Sequence, residues 1–374
     1  MTRVMLMSAG FGDGHRQVAR ALREACEARE AQVHELDALE ETSASMADFQ
    51  EGMYHTITRY APWLYGWSYD WTKRWGPASP LWPMLAVFSG RAYRRAVDAW
   101  RPDVVLQLFP DHAPALTRRS GPRGGTAPEP WLGVVLTDFS VHGHWFHRRA
   151  DAYFVADEGL VAEARRFSGR AKVMALGIPV RRQFQLRHPR PDGAGPGPYV
   201  LLMTGGRGLF PDLAEVLETV LQFLPDHRVV VLCGRNDRMR RWVEGRGDPR
   251  LRAVGFVEQV APWLQHATLA FVKAGGVSVS ECLASACPMV FYKPLPGQEA
   301  DNARFLQSMG AGWTVADVPA LRAALNRIDL VDEVRRMKER CRCLARPDAA
   351  DAVAEAALAA ARARTAGHDG RDIV

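Results

Sequence analysis

Cysteine is scarce in this sequence, six among 374 residues, and no two stand in a C-x-x-C pair. Cys26, Cys233, Cys282, Cys287, Cys341 and Cys343 thus suit neither a disulfide scaffold nor a structural zinc site, and they point to a reducing, cytoplasmic compartment. Long apolar runs are missing too. Nothing approaches the roughly 18 consecutive apolar residues of a membrane span, so the chain is expected to lie on a bilayer at most. The opening MTRVMLMSAG lacks the extended apolar region and cleavage site of a signal peptide and reads as a buried strand. With 47% hydrophobic and 24% charged residues, a mainly disordered or fibrous chain is excluded. At roughly 100–200 residues per domain, two domains are expected.

Charge is unevenly spread. Residues 1–52 carry 5 basic and 10 acidic side chains, 53–190 carry 20 and 10, and 191–374 carry 23 and 22, for net charges of −5, +10 and +1. The basic middle block implies a polyanionic partner, nucleic acid or an anionic membrane surface. Nine Tyr or Trp residues lie between Tyr54 and Trp82, with Trp63, Trp67, Trp71 and Trp75 spaced by four. On a helix that spacing makes one stripe, suited to a membrane interface flanked by Arg59, Lys73 and Arg74. The same tryptophans also fit the core of the first domain, and Pro62, Gly66, Gly76, Pro77 and Pro80 interrupt any long helix.

Pro and Gly crowd residues 186–198, LRHPRPDGAGPGP, which marks a boundary. Before it, strand-like Val4–Ser8, Val33–Leu36, Val104–Leu108, Leu132–Thr137 and Tyr153–Val155 alternate with helix-like His15–Ala28, Ala92–Trp100 and Leu160–Phe167. After it, strand-like Val200–Met203, Val229–Cys233, Leu269–Val272 and Met289–Tyr292 alternate with helix-like Leu213–Phe223, Ser278–Ala286 and Ala303–Met309. Such alternation means parallel sheets covered by helices. The expected layout is an α/β chain of two Rossmann-like domains, 1–185 and 186–347, facing each other across a cleft, with a helix and frayed tail over 348–374.

Three segments stand where strands end and helices begin. Gly10, Gly12 and Gly14 precede His15 in a G-x-G-x-G spacing, which is not a dinucleotide fingerprint but offers a helix N-terminus to a ligand. Thr137–His147, TDFSVHGHWFH, brings Asp138, His142, His144 and His147 together, a set able to carry acid–base chemistry or a metal. Lys273, Gly275, Gly276, Ser278 and Glu281 open a helix, suiting a diphosphate at its start and a ribose diol at the carboxylate one turn on. Gln298, Glu299 and Asn302 follow in PLPGQEADN, with amide and carboxylate groups matched to sugar hydroxyls. Jointly these segments point to a nucleotide-sugar.

The motifs GFGDGH, TDFSVHGHWFH, GIPVRRQF, CGRND, GFVEQVAPWLQHA and KAGGVSVSECLASACPMVFYKPLPGQEADNARFL keep one order from residue 4 to about 310. In that set the chain resembles the family of monogalactosyldiacylglycerol synthases and processive diacylglycerol glucosyltransferases, itself similar to the N-acetylglucosaminyltransferase that makes lipid II. Ala286 stands where the family usually has glycine, and Ser278 where threonine is common.

The resemblance implies the GT-B fold and an inverting transfer of a hexose from a UDP-sugar to a diacylglycerol-type lipid at the cytoplasmic membrane face. It implies His15 as base, with Asp138 orienting it or replacing it and His142 nearby. It extends the donor contacts to Gly205, Arg235, Phe256 and Val257, and the acceptor and membrane side to Gly12, Gly14, Trp63, Trp67, Trp71, Trp75 and Trp145. No Asp-x-Asp pair occurs, in keeping with family chemistry that needs no metal or other cofactor in the site. The partners implied are the UDP-sugar, the lipid acceptor and an anionic membrane, with no nucleic acid. An isoprenoid-linked or soluble acceptor, and a non-catalytic nucleotide- or RNA-binding protein, remain the alternatives.

Overall fold

The computed structural model describes residues 1–8, 12–37, 61–73, 75–76, 79, 86–116, 129–206, 208–327 and 329–369. Gly10, Tyr54, Arg59, Tyr60, Arg74, Pro77, Pro80 and Trp82, singled out above, lie outside them. The chain forms two compact units, Met1–Arg181 with Asp348–Val374, and Arg182–Pro347.

In chain order the first unit contains β1 (Arg3–Ser8), α1 (Gly12–Glu27), β2 (Gln32–Asp37), α2 (Pro62–Lys73), α3 (Val87–Trp100), β3 (Val104–Gln107), α4 (Ala113–Leu116), β4 (Trp131–Val135), β5 (Ala152–Val155), α5 (Val161–Ser168) and β6 (Lys172–Ala175). Its strands pair in the order β2-β1-β3-β4-β5-β6, every pair parallel. Val4 aligns with Val33 on one side and Val104 on the other. Val4 to Met7 and Val104 to Leu106 are wholly buried, because helices cover both faces of a parallel sheet and leave no polar side to its inner strands. In α1 the buried positions Val18, Ala21, Leu22, Ala25 and Cys26 recur every three to four residues, while Arg16, Arg20 and Glu27 face water. That is the stripe of an amphipathic helix laid on a sheet.

The second unit repeats the plan with β7 (Tyr199–Met203), α6 (Leu213–Phe223), β8 (Arg228–Leu232), α7 (Asp237–Glu244), β9 (Leu251–Val254), α8 (Ala261–His266), β10 (Leu269–Phe271), α9 (Gly276–Ala284), β11 (Met289–Tyr292), α10 (Gln298–Ser308), β12 (Gly312–Val315), α11 (Val318–Leu325) and α12 (Leu330–Leu344). Its order is β12-β11-β10-β7-β8-β9, again all parallel. The final helix, α13 (Ala349–Asp369), belongs to the first unit. Its Ala350, Val353, Ala354, Ala357 and Leu358 are buried, and Asp351 and Arg364 bind Arg29 at 2.6 Å and Asp151 at 2.5 Å.

Three strands have no counterpart in the sequence reading: β6, β9 and β12. All three are sheet edges, where exposed side chains such as Lys172, Arg252 and Thr314 dilute the apolar run that marks an inner strand.

The end of α9 bears on the alanine at position 286. Ala286 N–H binds Leu283 O and Cys287 N–H binds Cys282 O, at 2.9 Å each, the paired bonds of a Schellman cap. The residue between them must be left-handed, and Ala286 has φ 51°. Glycine fits that conformation without strain. Ala286→Gly is expected to stabilise the chain by about 0.5–1 kcal/mol, the left-handed penalty less the entropy glycine adds to the unfolded state. The urea midpoint should rise at unchanged slope; a fall would contradict this account of the cap.

Candidate active site

Parallel strands deliver their loops to one edge, and the singled-out residues follow β1, β4, β7, β8, β9, β10 and β11. In each sheet the chain reverses its direction of winding, between β1 and β3 and between β7 and β10, the place where open α/β sheets part their loops and admit ligands.

In the first unit His15 lies in the first turn of α1, its ring edge-on to Phe109 with centroids 5.6 Å apart. Burial pulls its pKa below the ordinary histidine value, against a hydrogen bond to the Leu108 backbone that raises it. Its Nδ1 has no hydrogen-bond partner among the described residues. The ring is thus neutral at neutral pH, and its unpartnered Nδ1 is closed to solvent in the absence of ligand. Asp138, three residues past β4, is buried.

His142 is placed differently from a free base. Its Nδ1 accepts from His144 N–H at 3.1 Å, and Nε2 lies 3.2 Å from Thr72 Oγ1 and 3.3 Å from Tyr69 O. With Nδ1 accepting, Nε2 carries the proton and donates it to α2. Tyr69 adds an Oη to Ser140 Oγ contact of 3.2 Å and a ring contact to His142 at 4.7 Å. A Cβ on Gly143 would stand 1.8 Å from the Trp75 carbonyl oxygen, so only glycine lets the two segments come this close. The inner face of α2 therefore grips the loop that carries Asp138 and His142.

The outer face of α2 is aromatic and bare. Trp63, Trp67 and Trp71 are 70%, 60% and 56% exposed, so they are not the core tryptophans that the sequence also allowed. Trp67 stacks on Trp71 at 5.6 Å, and Trp71 meets Trp75 edge-on at 4.4 Å. Trp145, expected on the acceptor and membrane side, is only 4% exposed: it follows the Gly143 turn into the interior, and that expectation is corrected.

The remaining histidines tie loops together. His112 Nε2 donates to His144 O, and His147 Nε2 to Gln107 Oε1, both at 3.0 Å, while Gln107 Nε2 donates to Phe109 O and Asp111 O at 2.8 Å. Among the described residues no group of three or more His, Cys, Asp or Glu is placed to hold a metal ion. Burial lowers His112 to about 4 and His144 and His147 to about 3, and raises Asp111 to about 6. A histidine held neutral in the fold binds no proton where its unfolded counterpart does, below about pH 6.5. Its contribution is therefore whole above that pH and is lost as pH falls, by up to about 1.4 kcal/mol per pH unit for each group. Asp111 and Glu299, whose carboxyls burial raises, have the opposite sign as pH falls, but they are two groups against His15, His112, His144 and His147. The unfolding temperature is expected to drop from pH 7 to pH 5, and a scan showing equal stability at both would contradict the buried neutral histidines.

In the second unit the loops interlock through backbone. Asn236 Nδ2 donates to Gly208 O at 2.9 Å while its Oδ1 accepts from Met239 N–H at 2.9 Å, capping α7. Arg235 N–H binds Gly206 O at 3.1 Å, and a Cβ on Gly234 would meet Gly205 O at 2.4 Å. The Arg235 guanidinium lies 4.5 Å over the exposed Phe256 ring. Val257, next to it, is half-buried. Sequence reasoning passed over Asn236, whose signal is an Asn directly before a helix.

Gly275 is the N-cap of α9 and has no side chain to cap it, so the N–H groups of the first turn have no acceptor from the cap residue itself. Ser278 is half-buried and Glu281 buried one turn further. Gln298 opens α10, and Glu299 Oε2 accepts from Leu295 N–H at 3.1 Å. Burial raises the Glu299 pKa, opposed by that bond and by the Lys273 charge. Asn302 departs from its expected sugar-reading role. It is 0% exposed and its Nδ2 donates to Ala274 O at 2.8 Å, which ties α10 to the turn before α9.

Residues 15–180 match the family model described as monogalactosyldiacylglycerol (MGDG) synthase, and residues 200–361 that of the glycosyltransferase family 28 C-terminal domain. A processive diacylglycerol beta-glucosyltransferase of Bacillus cereus (strain AH187) is 28% identical over 384 residues, covering 96% of this chain and 93% of the relative. One of Bacillus thuringiensis (strain Al Hakam) is 27% identical over 383 residues, covering 95% and 93%. Among solved structures, MurG of Acinetobacter baumannii superposes with a TM-score of 0.58 at 18% identity, covering 96% of this chain and 99% of that one. MnaA of S. aureus, solved with UDP, gives 0.60 at 12% identity, covering 94% and 95%.

Proposed function

We propose that this chain, which belongs to the monogalactosyldiacylglycerol synthase family of family 28, GT-B glycosyltransferases, moves a hexose from a UDP-sugar to a diacylglycerol-type lipid, inverting the anomeric carbon. The second unit holds the donor. The glycine-capped start of α9 and Lys273 face the diphosphate, Glu281 takes both ribose hydroxyls, Phe256, Val257 and Arg235 border the base, and Gln298 and Glu299 read the sugar. In the transfer the acceptor oxygen forms its bond to the anomeric carbon as the bond to UDP breaks. The hydroxyl proton passes to His15, and the electron pair leaves with the β-phosphate, stabilised by the α9 N–H groups and Lys273.

The observation that carries the lipid part of this reading is the tryptophan ridge of α2. Three exposed indoles on one face amount to an apolar patch that a protein in water alone has no reason to keep. Indoles favour the membrane–water interface, and the basic block of residues 53–190 favours anionic headgroups. The opposite face of the same helix grips the loop of Asp138, so the surface that meets lipid and the loop that meets the acceptor are one assembly. No helix among the described residues is long and apolar enough to cross a membrane.

The test is transfer from UDP-glucose and UDP-galactose to diacylglycerol in phosphatidylglycerol vesicles, with the glycolipid identified by mass spectrometry. Wild type is expected to form product. His15→Ala is expected to lower kcat by about 10²–10⁴-fold with vesicle binding intact. Trp67→Ser with Trp71→Ser should abolish flotation with the vesicles while costing about 0.5 kcal/mol of stability or less, as befits exposed positions. Product formed only with a water-soluble acceptor, or full flotation of the double variant, would overturn the lipid reading.

A further inference from the structure

β10 lies between β7 and β11 in the second sheet, so any contact between the loops after β7 and β11 spans the end of β10 and its Lys273–Gly276 turn. Such a contact exists. Tyr292 Oη donates to Asp212 Oδ2 at 2.6 Å, Lys293 Nζ donates to the same oxygen at 2.5 Å, and the Phe210 ring stacks on Tyr292 with centroids 5.8 Å apart at 13°.

Local preference does not explain these residues. Asp212 is the N-cap of α6, where an aspartate ordinarily accepts from the first turn, yet it makes no cap hydrogen bond. Asp212 and Lys293 both have left-handed backbone, φ 49° and 48°, a region that disfavours any residue but glycine. Both loops thus depart from their easiest conformations to bring one carboxylate and one ammonium together. Stability is a poor reason, since each side chain is more than a third exposed and exposed pairs contribute little to it. What the pair does hold is position: Lys293 directly precedes the segment Pro294-Leu295-Pro296-Gly297, which closes on itself through the Leu295 N–H bond to Glu299.

We infer that Asp212, Tyr292 and Lys293 form a clasp that sets the sugar-reading segment 294–299 against Phe210 and Asp212 at the entry to α6. In this role they decide how tightly the hexose of the donor is held, as distinct from its UDP. The inference rests on the reading of the second unit as a UDP-sugar site, and the three are positioning residues rather than groups that touch the reacting atoms.

Calorimetric titration of the full chain with UDP, UDP-glucose and UDP-galactose tests it, using wild type, Asp212→Asn, Tyr292→Phe, Lys293→Met and Lys293→Arg. The expected result is UDP affinity nearly unchanged throughout. Affinity for the preferred UDP-sugar should fall by about tenfold in Asp212→Asn and Lys293→Met, less in Tyr292→Phe, and recover in Lys293→Arg. An equal loss for UDP and UDP-sugar, or an unchanged ratio in every variant, would overturn the clasp. Wild type that binds UDP-sugars but shows no change with these substitutions leaves the nucleotide reading standing, whereas wild type that binds no UDP overturns that reading and the clasp with it.

Discussion

Parallel pairing is the constraint from which the rest of this molecule follows. A strand buried on both faces spends its side chains on packing and its backbone on the ladder, so Val4 to Met7 or Leu269 to Phe271 have nothing left for chemistry. What remains is the loop at each C-terminal end, and parallel direction sends those loops to one edge of each sheet. Glycines, histidines and helix starts gather there because no other place in the fold can accept them. His15 after β1, Asp138 after β4 and Gly275 after β10 are three consequences of one rule.

Loops so rich in glycine would wander without anchors, and the structure supplies them mostly as side-chain amides on backbone carbonyls. Asn302 holds Ala274 O, Asn236 holds Gly208 O, and Gln107 holds Phe109 O and Asp111 O. Each satisfies a carbonyl that would otherwise be orphaned beside a turn. The catalytic acceleration proposed for this enzyme depends on donors fixed before the charge develops, and these amides are what fixes them. His142 belongs with them: its Nδ1 accepts from His144 N–H within the loop, and its Nε2 joins that loop to α2.

Much of this was legible in sequence, and the failures have physical causes. Inner strands were readable from apolar runs and α1 from its periodicity. Edge strands β6, β9 and β12 were not, because an edge needs only one apolar face. The site motifs were placed correctly at strand ends, but residue type alone did not separate a group that faces a ligand from one that holds a loop. Asn302 and His142 have ligand chemistry and structural positions; only burial and partners tell the difference. Trp145 and Trp67 show the same limit from the apolar side, one a core residue and the other bare, though both lie in aromatic segments. Asp212 left no signal at all, since its partners are 80 residues away.

The central claim is that the loops at the C-terminal edge of β7, β8, β9 and β10 form one donor site, anchored before ligand arrives. Amide hydrogen exchange of the full chain with and without saturating UDP tests it most directly. The account predicts added protection confined to residues 204–208, 233–236, 255–257 and 273–281, with the strands themselves unchanged. Protection centred on the loops of the first unit, or none anywhere under saturation, would contradict it.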